Sequence, residues 1–196
     1  MKVIGITGGV GSGKSEVLNM IEEMTECVIV RADELAKDLE APGEVCFDPL
    51  VRLLGNGVLR DDGRIDPGKM AGMIFADGDT DIRDRVNRIV HPAVKERILA
   101  MIQEASDEGR AEYFFIEAAL LIEDNYDTIV DELWYIYAGE DVRRKRLRIS
   151  RGYSDEKIDS IIRTQSTDET FRKYCRVCID NSGTLEETKE QLKQLL

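Results

Sequence analysis

Apolar residues along this chain gather in short runs that stop abruptly at glycine or polar residues. Residues 3–6 form one such run, closed by Thr7-Gly8-Gly9, as a brief buried strand would be. From Lys14 to Met24 the pattern changes period, and Val17, Leu18 and Ile21 recur on one helical face. Val28-Ile29-Val30, Tyr113-Phe114-Phe115-Ile116, Leu133-Trp134-Tyr135-Ile136-Tyr137 and Val177-Cys178-Ile179 complete a set of five strand-like runs. Such short, continuously apolar strands alternating with helices predict a parallel sheet covered on both faces. Residues 44–109 differ: helical patterns dominate, broken at Gly55-Asn56-Gly57, Asp61-Asp62-Gly63, Pro67-Gly68 and Asp77-Gly78. His91-Pro92 there predicts the start of a helix carrying Val94, Ile98 and Ile102. The expected architecture is α/β, three-layer α/β/α with a five-stranded parallel sheet. Its core comprises residues 1–39 and 110–196, with a helical insertion at 40–109 and a helical lid at about 140–165. Thr184, with Glu187 three residues on, predicts a capping box at the head of the last helix.

Composition narrows the function. A chain of 196 residues holds one sizeable core with a small inserted unit. Its net charge of −12 repels nucleic acid and anionic membrane surfaces, so neither is expected as a partner. No signal-peptide core precedes the first glycines, and no apolar run is long enough to span a bilayer. A cytoplasmic protein is expected, as a monomer or small homo-oligomer. Cys27, Cys46, Cys175 and Cys178 make no disulfide framework and are read as small core hydrophobes.

Gly8-Gly9-Val10-Gly11-Ser12-Gly13-Lys14-Ser15 fits G-x-x-x-x-G-K-[ST], with a strand before it and a helix after it. Glycines let consecutive N–H groups curl around a phosphate, and the helix N-terminus adds partial positive charge. Lys14 then reaches the β- and γ-phosphates, and the Ser15 hydroxyl takes a place on Mg²⁺. A GTPase would show Asn-Lys-x-Asp, which is absent, and D-x-x-G occurs only at Asp180-Asn181-Ser182-Gly183, near the C-terminus. A compact kinase of the P-loop NTPase fold, using ATP, fits the length. Asp33, just past the second strand, could take a proton from a hydroxyl acceptor, or could serve only as a first-turn acid. In Arg143-Arg144-Lys145-Arg146-Leu147-Arg148-Ile149-Ser150-Arg151, six of nine residues are basic. Arg144, Arg148 and Arg151 share a helical face, which favours phosphate clamping over a merely solvated surface.

On these residues the chain resembles the dephospho-CoA kinase family over nearly its whole length. The opening from Ile4 to Ser15 matches that family's start, and Arg31-Ala32-Asp33 matches its Asp-Ala-Asp with the first Asp replaced. His91-Pro92, Gln165 and Asp180-Asn181-Ser182-Gly183 also match, as does Glu117-Ala118-Ala119-Leu120-Leu121-Ile122-Glu123 with the family's proline replaced. Glu16 stands where threonine is usual, and the lid arginine position falls on Ser150, with Arg151 one place later. The resemblance implies transfer of the ATP γ-phosphoryl group to the ribose 3′-hydroxyl of dephospho-CoA. Asp33 would be the base, with Lys14, Arg146 and Arg151 catalytic. Residues 8–16 and Asn181 would bind nucleotide, and Thr7, Asp33, His91, Leu120 and Leu121 would bind the acceptor. Two rivals stay open: another small nucleoside or nucleotide kinase, and a non-catalytic nucleotide-binding switch.

Overall fold

β1 (Lys2–Thr7) sits at the centre of a five-stranded parallel sheet whose order is β2-β3-β1-β4-β5. The other strands are β2 (Cys27–Arg31), β3 (Tyr113–Glu117), β4 (Glu132–Tyr137) and β5 (Val177–Asp180). The computed structural model describes residues 1–74, 80–109, 111–118 and 121–196. β1 pairs with β3 from Lys2↔Tyr113 to Ile6↔Glu117, and with β4 from Ile4↔Glu132 to Thr7↔Tyr135. Every expected strand forms; β1, β3 and β4 are largely buried, while β2 and β5, at the sheet edges, are only partly covered.

The described chain forms two compact units, Met1–Val30 with Glu104–Leu196, and Arg31–Gln103. In the first, α1 (Lys14–Met24) and α9 (Leu185–Lys193) contribute to the core over one sheet face. Val17, Leu18, Ile21 and Leu192 there meet Ile4, Ile6, Phe115, Trp134, Ile136 and Ile179. Phe115 and Trp134 stack edge to face at 5.8 Å, and Trp134 Nε1 donates to Glu132 Oε2 at 3.0 Å, so the buried indole keeps a partner. On β4 the alternate residue Tyr135 stacks at 4.6 Å on Phe171 of α8 (Asp168–Tyr174), a short helix without a sequence signature strong enough to anticipate. α6 (Glu140–Arg151) and α7 (Asp155–Arg163) form the expected helical pair between β4 and α8.

The second unit is helical: α2 (Ala32–Leu39), α3 (Phe47–Leu54), α4 (Pro67–Ile74) and most of α5 (Thr80–Glu108). Its core gathers Leu39, Cys46, Leu50, Val58, Val86, Val90, Val94 and Ile98. The expectation that a helix begins at His91-Pro92 is corrected, because Pro92 lies inside α5. An interior proline lacks one ladder N–H and costs about 3 kcal/mol. Val86, Val90, Val94 and Ile98, buried along one stripe either side of it, offset that cost. The reading of all four cysteines as core residues is corrected at Cys178, which is exposed, while Cys46 and Cys175 are buried. β5 is an edge strand, and only its Ile179 is buried. Among the described residues, no helix is long and apolar enough to cross a membrane.

The capping box forms as expected: Thr184 Oγ1 accepts from Glu187 N, and Glu187 Oε2 accepts from Thr184 N at 2.8 Å. Thr184→Ala should lower stability by about 1 kcal/mol, and Thr184→Ser should restore it. Urea denaturation with an unchanged m-value checks this.

Candidate active site

The carboxyl end of β1 runs directly into the glycine-rich loop, and the loop runs into α1. Gly13 is the N-cap of α1 at φ +91° with no side-chain cap, so no side chain competes for the helix's first-turn N–H groups. Those amides and the helix dipole make an anion cradle. Thr7 Oγ1 and Ser12 Oγ are buried beside it without a hydrogen-bond partner. An orphaned buried hydroxyl costs roughly 1–3 kcal/mol. Inside a phosphate-binding loop, an anion's oxygen can relieve that cost for Ser12.

The loop is braced from outside. Ser12 O accepts from Asn181 Nδ2 at 2.7 Å and from Arg146 Nη1 at 3.1 Å. Asn181 is itself fixed, since its Oδ1 accepts from Thr188 Oγ1 at 3.0 Å, and its backbone oxygen accepts from Arg146 Nη2 at 2.8 Å. A trans peptide directs its C=O and N–H to opposite sides. Holding Ser12 O outward therefore turns the N–H of Gly13 into the cradle. A Cβ on Gly13 would strike Asn181 Nδ2, so this position admits only glycine. α6 docks on the loop here, with Leu147 buried against Gly11.

Lys14 Nζ donates to Gly8 O at 2.9 Å and lies 3.7 Å from Glu117 Oε1. Glu117 ends β3 in register with Ile6, which brings its carboxylate to the loop's mouth. Ser15 and Glu16 are exposed on the first turn of α1. Among the described residues no group of three His, Cys, Asp or Glu could hold a metal. The Ser15 hydroxyl and the Glu117 carboxylate are hard oxygen donors, suited to a magnesium ion whose remaining ligands are phosphate and water.

The expected clamp face of α6 is corrected. Arg144 pairs with Glu140 at 2.8 Å and with Asp159 at 2.6 Å, and Arg148 pairs with Asp155 at 2.6 Å. All three acidic partners, Glu140, Asp159 and Asp155, belong to α6 or α7, so these ion pairs staple the two helices. Arg151 lies over the Tyr153 ring at 5.9 Å and does not reach the loop as expected, whereas Arg146 does. α6 ends at Gly152, and Arg151 follows Arg146 by five residues, about 140° further round the helix. Asn181 acts as a brace of the loop. Leu121 is fully buried and flanks Gly5, so its side chain is a core element where acceptor binding was expected. Leu120 lies outside the described residues. Asp33 is exposed in the first turn of α2, and His91 is half-buried in α5, both in the second unit.

Three residues at the loop were not singled out from sequence as site residues. Glu117 could have been found as an acid closing an apolar strand. Arg143 Nε donates to Val10 O at 2.9 Å, and its Nη2 donates to Gln165 Oε1 at 2.6 Å. Burial presses the Arg143 pKa down from the ordinary guanidinium value, yet an arginine stays charged. Nothing in the basic run separates Arg143 from its neighbours by sequence alone.

A model of the dephospho-CoA kinase family matches residues 2–187. A curated dephospho-CoA kinase from Carboxydothermus hydrogenoformans is 34% identical over 196 residues, covering 100% of this chain and 93% of that protein. One from Symbiobacterium thermophilum is 36% identical over 194 residues, with 98% and 79% covered. Among solved structures, a Thermus thermophilus protein superposes with a TM-score of 0.81 at 27% identity, covering 99% of this chain and 95% of that one. A shikimate kinase from Bacteroides thetaiotaomicron, at 0.53 and 13% with 99% and 97% covered, shares the fold.

Asn181→Ala should remove one donor from Ser12 O and leave the Thr188 hydroxyl with only Thr184 O as acceptor. Stability should fall by about 1–3 kcal/mol, with weaker ADP binding, as urea denaturation and calorimetric titration would report.

Proposed function

The chain belongs to the dephospho-CoA kinase family, and we propose that it transfers the γ-phosphoryl group of ATP to the ribose 3′-hydroxyl of dephospho-CoA. The products are CoA and ADP, in the last step of coenzyme A biosynthesis. The observation that carries the phosphoryl-transfer half is the braced loop, whose Gly13 N–H is turned inward beside Lys14. The family carries the identity of the acceptor.

In this reaction the 3′-oxygen attacks the γ-phosphorus, the bond to the β–γ bridging oxygen breaks, and the electrons leave with ADP. The transition state is loose and gathers negative charge on the equatorial and leaving oxygens. Fixed N–H groups and Lys14 stabilise that charge without reorganising at the moment of transfer. Lys14 is held near the phosphates between Gly8 O and Glu117, ready to exchange those contacts for phosphate oxygens. Asp33 takes the hydroxyl proton; this assignment rests on its match to the family's base and on its place two residues past β2. Mg²⁺, held by Ser15 with Glu117 nearby, would neutralise charge on the β- and γ-phosphates. The helical insertion, residues 40–109, would supply the acceptor side, including His91.

A panel of acceptors with an ADP-release readout tests the substrate. Dephospho-CoA should exceed AMP and adenosine in kcat/KM by roughly a hundredfold or more, since binding energy from the pantetheine arm helps order the site. Equal values for AMP would make this a nucleotide kinase, and no turnover of any acceptor would favour a binding switch. Asp33→Asn should lower kcat by roughly 10²–10⁴-fold while binding of a non-hydrolysable ATP analogue stays unchanged. Near-normal kcat in that variant would move the base elsewhere, with Glu117 the next residue to test.

A further inference from the structure

Arg143 and Gln165 grip one residue of the phosphate loop, Val10, through the two peptides that flank it. Val10 N–H donates to Gln165 Oε1 at 3.1 Å, and Val10 O accepts from Arg143 Nε at 2.9 Å. The same Gln165 oxygen takes the second Arg143 donor at 2.6 Å, closing a ring of three residues. Gly9 is a free position in the motif, yet here a Cβ would land on the Arg143 guanidinium, 2.5 Å from its Cζ. The loop thus lacks a side chain where this arginine lies.

The consequence lies in the peptide that joins Val10 to Gly11. With Val10 O drawn outward to Arg143, the N–H of Gly11 faces the other way, into the cradle. Gly11 sits at φ +83°, which the loop needs for that orientation and which a side chain would strain. Ser12 N–H is already given to Gly9 O at 3.0 Å and Val10 N–H to Gln165, so neither is left for a phosphate. Gly11 N–H is therefore the loop's leading amide ahead of Gly13. Arg143 stands at the start of α6, and Gln165 follows the end of α7. Both ends of that helical pair are consequently fastened to one loop residue, while Arg144–Asp159 and Arg148–Asp155 hold the pair together.

We infer that Arg143 is a positioning residue for the nucleotide's β- and γ-phosphates, acting through the Val10–Gly11 peptide, with Gln165 as its second anchor. A lysine cannot replace it fully, because one ammonium lacks the planar fork that reaches Val10 O and Gln165 at once. The inference needs only the nucleotide half of the proposed function and is independent of the acceptor.

The test is calorimetric titration of the full chain with ADP, followed by kinetics with both substrates. Arg143→Ala and Gln165→Leu should each weaken ADP binding by roughly tenfold, and the double variant should be little worse than either. Arg143→Lys should fall between parent and alanine, because one ammonium keeps the charge but loses the planar fork. In turnover, Arg143→Ala should raise KM for ATP by a similar factor and leave KM for dephospho-CoA within about twofold. Unchanged ADP affinity in Arg143→Ala, additive losses in the double variant, or equal rises in both KM values would each overturn the inference. Should Arg143→Ala fail to fold, the losses in Arg143→Lys and Gln165→Leu against the parent decide it. A parent that binds ADP but leaves dephospho-CoA unphosphorylated would sink the proposed acceptor while leaving this inference to the titration.

Discussion

A peptide unit cannot turn its carbonyl outward without turning its N–H inward, and the phosphate site depends on that constraint. The loop has too few residues to bury and no side chains at its glycines with which to hold itself in shape. Its conformation is imposed from outside, through Ser12 O and Val10 O, by Asn181, Arg146 and Arg143. The sheet makes this possible. In a parallel sheet the strand ends gather on one edge, so β1 delivers the loop while β4 and β5, its neighbours on one side, deliver the braces. Gly139 N donates to Ser182 Oγ at 3.0 Å, tying the ends of β4 and β5 to each other before either reaches the loop. Support continues outward through Thr188 to α9, whose start is fixed by Thr184 and Glu187.

The strands, the loop and the capping box were legible because each is a local matter. An apolar run, a glycine pattern and a Thr-x-x-Glu spacing name their own structure within a few residues. The lid arginines were not. Helical spacing groups Arg144, Arg148 and Arg151 on one face, but it cannot say what that face meets. Asp155 and Asp159 lie one turn apart on the next helix, and they draw Arg144 and Arg148 into ion pairs. That signal was present in the sequence as a matched set of charges on adjacent helices. The role of Arg143 had no such signal, because it depends on which side of α6 faces residues 133 positions away. Pro92 shows the same limit from the other direction: a strong local marker of a helix start gave way to burial of Val86, Val90, Val94 and Ile98 along a longer helix.

Acceptor chemistry explains how a chain of net charge −12 can still favour an anion at one place. Arg144 and Arg148 donate to carboxylates, so their charges are largely cancelled where they stand, and as exposed pairs they add little stability. Among the described residues, Arg143 and Arg146 donate to backbone carbonyls and a side-chain amide, all neutral acceptors. Among the described residues neither forms a salt bridge, so their positive charge, with Glu140 in electrostatic reach of Arg143, acts from partly buried positions where water screens it less. These two guanidinium groups therefore perform two tasks through one set of contacts. They fix the carbonyls that orient the loop's amides, and they leave a positive field beside the cradle without reaching into it. A carboxylate partner would satisfy the same donors and abolish the field, which is why the acids of this hairpin matter most by being placed on its other face.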